Sequence, residues 1–151
     1  MEWRDPVTAN GKPGRVLVID DVAGVRKAIR ATLDNAGYEV LEAEDGEQAI
    51  GMLQAMGDPM PVDVILSDLR MPPMKMDGAK VIAYFRSRYP AVPVVALTAY
   101  PDVELAVSLM RQGVLDFLVK PVPQNELLSV VERAVEQDAR RKYQTLRNIF
   151  I

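Results

Sequence analysis

Four short runs rich in Val, Ile and Leu each close on a polar residue, and this recurrence constrains the chain more than any other feature. Val16 to Ile19 runs into Asp20-Asp21, Val64 to Ser67 into Asp68, Val92 to Leu97 into Thr98, and Val114 to Val119 into Lys120. Runs of this length and composition read as buried strands. Between them lie helical patterns. After Asp21 the apolar positions Val22, Val25, Ile29, Leu33 and Ala36 recur at three and four, with Gly37 placed to end the helix. Tyr38 to Ala43 has a strand's composition, and Asp45 can cap a helix carrying Ala49, Ile50 and Leu53. Asp77-Gly78 opens a third helix with Val81, Ile82, Phe85 and Tyr89 inward, which Pro90 stops. Asp102 caps a fourth carrying Val103, Ala106, Val107 and Met110, and a fifth, from Pro123 or Gln124, buries Leu127, Leu128, Val131, Ala134 and Val135.

Strict alternation of strand and helix predicts an α/β fold with a parallel sheet covered on both faces. The expected architecture is a single doubly wound, flavodoxin-like (βα)5 sandwich, with a five-stranded parallel sheet in the order 2-1-3-4-5. Residues 1–13, with Pro6, Gly11 and Pro13 among polar neighbours, read as a flexible lead-in; residues 14–137 form the domain. Residues 138–151 carry Arg140, Arg141, Lys142 and Arg147 and lack Pro and Gly, so they read as an extension of the last helix or as a linker.

In such a sheet ligands bind outside the carboxyl ends of the strands, which is where Asp20, Asp21, Asp68, Thr98 and Lys120 converge. The chain has no cysteine and no histidine, which excludes disulfides, thiolate and imidazole catalysis and the usual zinc ligands. Oxygen chemistry remains. A carboxylate attacking phosphorus meets an anionic target, and Mg2+, which prefers oxygen ligands, relieves that repulsion; Asp20, Asp21 and Asp68 could support it. Lys120 would add a positive charge and the Thr98 hydroxyl a hydrogen bond. Taken singly, each has a plainer reading: Asp21 as a helix cap, Thr98 as a turn residue, Lys120 as a solvated lysine. Their meeting on one edge favours the site.

A formal charge of -3 offers no general attraction to nucleic acid or an anionic membrane. No stretch reaches the roughly 18 apolar residues of a spanning helix, and the polar start lacks a secretion signal's apolar core, so a cytoplasmic location is expected, without membrane or direct nucleic-acid contacts.

At these residues the chain resembles the receiver domain of bacterial two-component response regulators, the CheY-like superfamily, over Gly14 to Gln137. Val16-Leu17-Val18-Ile19-Asp20-Asp21 is similar to the first strand with its acidic pair, and Asp45-Gly46-Glu47-Gln48-Ala49 to the start of the second helix. Asp68-Leu69-Arg70-Met71-Pro72 resembles the phosphoacceptor motif, Leu97-Thr98-Ala99 the switch segment, and Asp116-Phe117-Leu118-Val119-Lys120-Pro121 the lysine motif.

The resemblance implies that Asp68 accepts a phosphoryl group from a phosphohistidine on a sensor histidine kinase or a histidine phosphotransfer protein. It implies that Asp21, Asp68 and the backbone carbonyl of Arg70 ligate Mg2+, with Asp20 assisting through water, and that Lys120 holds the acyl phosphate. Thr98 and Phe117 are the implied switch, carrying the signal to the face made by helix four, strand five and helix five, which controls an output domain or partner; Phe117 also reads as plain core. That face or the C-terminal helix is a candidate homodimer contact. A cis Lys120-Pro121 bond is expected. The segment Pro72 to Gly78 is longer than is usual in the family, and Arg70 and Tyr100 stand at positions tied there to water access, implying slow self-dephosphorylation. The alternative is a receiver-like binding module that works without phosphorylation. An enzyme of the haloacid-dehalogenase type, which also uses a strand-end Asp nucleophile, expects a second Asp where Arg70 stands, and a flavin carrier expects a Gly and Ser/Thr cradle after the first strand.

Overall fold

The computed structural model describes residues 14–57, 61–69 and 78–150. Five parallel strands, β1 (Arg15–Ile19), β2 (Glu39–Ala43), β3 (Val64–Asp68), β4 (Val94–Thr98) and β5 (Asp116–Val119), form one sheet in the order β2-β1-β3-β4-β5. The helices α1 (Ala23–Asn35), α2 (Gly46–Met56), α3 (Gly78–Arg88), α4 (Val103–Arg111) and α5 (Gln124–Phe150) alternate with them. This is the (βα)5 arrangement and strand order expected from the sequence.

Because side chains alternate along a strand, the sheet separates two cores. Val16, Val18, Val64, Leu66, Val95, Leu97 and Leu118 pack with Ile29 and Leu33 of α1 and with Leu127, Val131 and Ala134 of α5. Leu17, Ile19, Ile65, Val94 and Ala96 face the other way, onto Leu53 of α2, Val81, Ile82 and Phe85 of α3 and Leu109 of α4. Each fully buried Leu, Ile or Phe contributes about 1.5–3 kcal/mol relative to exposure.

The helix caps follow the sequence closely. Asp45 accepts from the Gln48 N–H at 2.8 Å, and Asp102 from the Leu105 N–H at 2.7 Å. Gly37 takes φ +95° in the turn from α1 to β2, a conformation that L side chains avoid. Gly46 is required for room, since a Cβ there would stand 2.2 Å from Val81 Cγ2.

Several inward positions read from periodicity lie elsewhere. Val22 precedes α1 and is exposed, and Ala36, beyond the end of α1, is exposed as well. In α4 the stripe Val103, Val107 and Met110 faces solvent, whereas Leu109 is buried. That helix carries a second apolar row, Leu105 and Leu109, and the second row is the one over the sheet. The N-terminal lead-in falls outside the described residues, as do Arg70 and the long segment through Asp77.

Candidate phosphoacceptor and metal site

β1 ends at Ile19, yet its ladder continues for one bond, from the Asp20 N–H to the Ala43 carbonyl at 3.1 Å. Asp20 is fully buried, and its Oδ1 accepts from the Val22 N–H at 2.9 Å, which turns the chain toward α1. Asp21 follows on the outside of that turn, exposed. Asp68 is the last residue of β3 and is 2% exposed. Candidate ligand oxygens of Asp20, Asp21 and Asp68 all lie within 4.8 Å of one another.

Lys120 stands one residue beyond β5, placed by its N–H bond to the Thr98 carbonyl at 2.8 Å, and its peptide bond to Pro121 is cis, as expected. By strand alternation Asp20, Asp68 and Lys120 share the side of Val18, Leu66 and Leu118. They meet there: Lys120 Nζ is 2.5 Å from Asp20 Oδ2 and 3.1 Å from Asp68 Oδ1. Burial opposes the charge on the ammonium, but direct contact with Asp20 and the attraction of Asp20 and Asp68 outweigh it, and its pKa lies above the ordinary lysine value of 10.5. Lysine is thus held charged beside the acids.

Thr98 closes β4 and is buried; its Oγ1 accepts from the Tyr100 N–H at 3.1 Å and makes no hydrogen bond to Asp68 or Lys120. Phe117 is half-buried against the α2–α3–α4 core, and Tyr100 is 61% exposed.

Three carboxylates therefore crowd a strand edge around one ammonium, and two of the three are removed from water. The Asp20 Oδ2 is buried with the Lys120 ammonium beside it and has no other partner among the described residues. An all-oxygen donor set with surplus negative charge fits a hard divalent cation.

A model of the response regulator receiver domain matches residues 16–132, which takes in the five strands apart from Arg15 and includes the five candidate strand-end residues. The chain belongs to the response regulator receiver domain family. Among its relatives, the transcriptional regulatory protein GlrR of Escherichia coli is 37% identical over 128 residues, covering 85% of this chain and 28% of that protein. The C4-dicarboxylate transport transcriptional regulatory protein DctD of Pseudomonas aeruginosa is 40% identical over 122 residues, covering 81% of this chain and 25% of that protein. The chain thus spans about a quarter of the length of these curated relatives. The chemotaxis protein CheY4 of Vibrio cholerae superposes with a TM-score of 0.70 at 34% identity, over 80% of this chain and 97% of that one. As a receiver domain the chain is a phosphoacceptor module of two-component signalling rather than a self-standing enzyme, and its aspartate cluster is able to coordinate a metal ion.

Two residues of this receiver's site were not singled out from the sequence. Arg26 is 8% exposed and its Nη1 donates to the Asp20 carbonyl at 2.7 Å, while its Nε donates to Glu42 Oε1 at 3.3 Å. Glu42 Oε2 accepts in turn from Arg30 at 2.7 Å. A signal existed: Arg26 lies three residues before Ile29 and seven before Leu33, on the helix face otherwise filled by apolar side chains.

Proposed function

We propose that Asp68 is the phosphoacceptor, taking a phosphoryl group from a phosphohistidine on a sensor histidine kinase or a histidine phosphotransfer protein. The observation that carries this reading is the partly buried Lys120 ammonium held between the buried carboxylates of Asp20 and Asp68 at the mouth of the sheet. An oxygen of Asp68 attacks phosphorus, the phosphorus–nitrogen bond of the donor breaks, and its electron pair stays on the donor imidazole. No residue of the given sequence can be that donor, since it contains no histidine.

Asp21, Asp68 and the backbone carbonyl of Arg70 are the proposed ligands of Mg2+, with Asp20 acting through water. Bound Mg2+ supplies positive charge that offsets the repulsion between the carboxylates and the phosphoryl oxygens. Lys120 holds the acyl phosphate from the opposite side, and charge of this kind, already in place, is the main source of acceleration in phosphoryl transfer. The Thr98 hydroxyl, now accepting from Tyr100, retains its own proton to donate to a phosphoryl oxygen. Phe117, half-buried, moves with it and alters the face made by α4, β5 and α5. That face or α5 is the proposed homodimer contact.

The output is transcriptional control through a further domain or partner, on the pattern of GlrR and DctD, with no nucleic-acid contact by the receiver itself. The domain acts in the cytoplasm; among the described residues no helix is long and apolar enough to cross a membrane.

The test is intact mass after incubation with Mg2+ and a small-molecule phosphodonor. One added phosphoryl group, absent from Asp68→Asn and from a chelated control, is expected. An adduct that persists in Asp68→Asn overturns the assignment, and a native chain inert to both the small donor and phosphohistidine donors is a contact module instead.

A further inference from the structure

Arg26 takes no part in the phosphoryl chemistry above, yet it is one of the few charged side chains buried among the described residues. Burying a guanidinium carries a penalty of several kcal/mol unless its hydrogen bonds are met. Here two of them are met by a particular pair of groups. Nη1 donates to the Asp20 carbonyl at 2.7 Å in a fully buried bond, and Nε reaches Glu42 at 3.3 Å.

The Asp20 carbonyl belongs to the peptide unit that joins Asp20 to Asp21. That unit is planar, so fixing its oxygen fixes the N–H and Cα of Asp21 as well. The preceding side is held too, by the Asp20 N–H bond to Ala43 at 3.1 Å. Asp21 needs this support: its side chain is exposed and makes no hydrogen bond or ion pair among the described residues. Only its backbone brings its carboxylate to the cluster shared with Asp20 and Asp68.

We infer that Arg26 is a positioning residue for the acidic pair, orienting the Asp20-Asp21 peptide so that Asp21 meets a divalent cation in the right geometry. The inference rests on the metal site proposed above. Mg2+ tolerates little departure from octahedral ligands, so a swivelled peptide weakens binding even when every carboxylate is present. The guanidinium acts by direction more than by charge. Glu42 offsets its charge at 3.3 Å, and Glu42 is itself braced by Arg30 at 2.7 Å, which also pairs with Asp34 at 3.4 Å. The brace thus runs from the surface of α1, through β2, to the carbonyl behind the site.

Arg26→Met keeps the aliphatic stem and removes the fork, and apolar replacement of a buried cation is often tolerated. Mg2+ is titrated into native, Arg26→Met, Arg26→Lys and Glu42→Gln proteins while backbone amide shifts of residues 20–22 and 68 are followed by NMR. The expected result for Arg26→Met is Mg2+ binding weaker by about tenfold, the size seen when a partner behind a metal ligand is lost. The Mg2+ needed for half-maximal phosphorylation moves with it, more than the maximal rate does. In metal-free protein the Asp21 and Val22 amides shift and broaden while Asp68 stays as in native. Arg26→Lys, with charge but no planar fork, recovers only part of the affinity.

A folded Arg26→Met with the native Mg2+ midpoint and an unchanged Asp21 amide overturns the inference and leaves Arg26 a packing residue. Should that variant not fold, Glu42→Gln decides, with a smaller shift in the same direction expected and an unmoved midpoint overturning. A native chain with no Mg2+-dependent shifts defeats the underlying metal site, and this inference with it; that failure shows in the native titration before any variant is read.

Discussion

At the N-terminal ends of the strands, Arg15 meets Glu39 at 3.1 Å, donates from Nη1 to the Pro61 carbonyl at 3.2 Å, and sends its backbone N–H to Asp63 Oδ2 at 2.9 Å. At the C-terminal ends, Lys120 faces Asp20 and Asp68 with Asp21 alongside. Both ends of one sheet hold one basic side chain among acids, but their surroundings differ. The side chains of Arg15 and Glu39 are each 22% exposed, whereas those of Asp20 and Asp68 are 0% and 3% exposed. The first cluster is tied further into the fold by the Pro61 carbonyl and by the Asp63 carboxylate. The second sets three acids against one ammonium, with Asp20 and Asp68 taken out of water, an arrangement that costs stability and fits a cation site.

The largest effect expected from this contrast is at Lys120. Lys120→Met should slow phosphorylation on the order of a hundredfold, the loss typical of removing one preorganised partner of a developing negative charge. It should also lower stability in chelator by roughly 3 kcal/mol, because Asp20 and Asp68 lose their cation, with Mg2+ restoring part of that in a melting curve. A variant as stable as native in chelator breaks the comparison.

Asp21→Asn should produce a change of sign. Removing one carboxylate from the crowded end stabilises the metal-free protein by about 1 kcal/mol, the upper range for an exposed charge, yet leaves it less stable than native in saturating Mg2+. Crossing of the two melting temperatures with added Mg2+ is the observation sought. Arg15→Met, at the other end, should cost about 1 kcal/mol of stability in chelator and in Mg2+ alike, without moving the Mg2+ midpoint. A shifted midpoint there joins the two ends and removes the distinction.

The smallest effect concerns β2, which gives Glu39 to one cluster and Glu42 to the brace behind the other. The Glu42 carboxyl is held below the ordinary glutamate value of 4.5, chiefly by the hydrogen bond from Arg30 and against the opposing effect of burial. Its folded pKa being the lower one, its contribution is complete above pH 4.5 and is lost as pH falls through the folded value. The stability difference between native and Glu42→Gln should therefore hold steady from neutral pH down to about 4.5 and shrink below it.

Much of this was legible before any coordinates. Asp45 and Asp102 announced their helices because a short acceptor before an apolar run has a single local use, and that use needs no tertiary partner. Asp20, Asp68, Thr98 and Lys120 stood at strand ends because each run of Val, Ile and Leu stops there. Their pairing was less visible. That Lys120 reaches Asp20 and Asp68, while Thr98 bonds its own turn, depends on which side each strand presents at its last residue. The α4 stripe misled for a related reason: Val103 and Val107 form one row, Leu105 and Leu109 another, and periodicity cannot say which the sheet covers. Arg26 escaped notice because its partner is a backbone carbonyl, which leaves no mark in a sequence.

The last helix has a mechanical consequence. Asp138 is buried, whereas Arg147, Asn148 and Ile149 are exposed, and the helical backbone of α5 runs unbroken to Phe150. Twelve residues of rise beyond Asp138 make a lever arm of about 18 Å. Pivoting such an arm by about 10° at its root sweeps its tip through about 3 Å. A rearrangement at that root too small to unseat any core residue would be geared up at the tip to the scale of a side-chain contact.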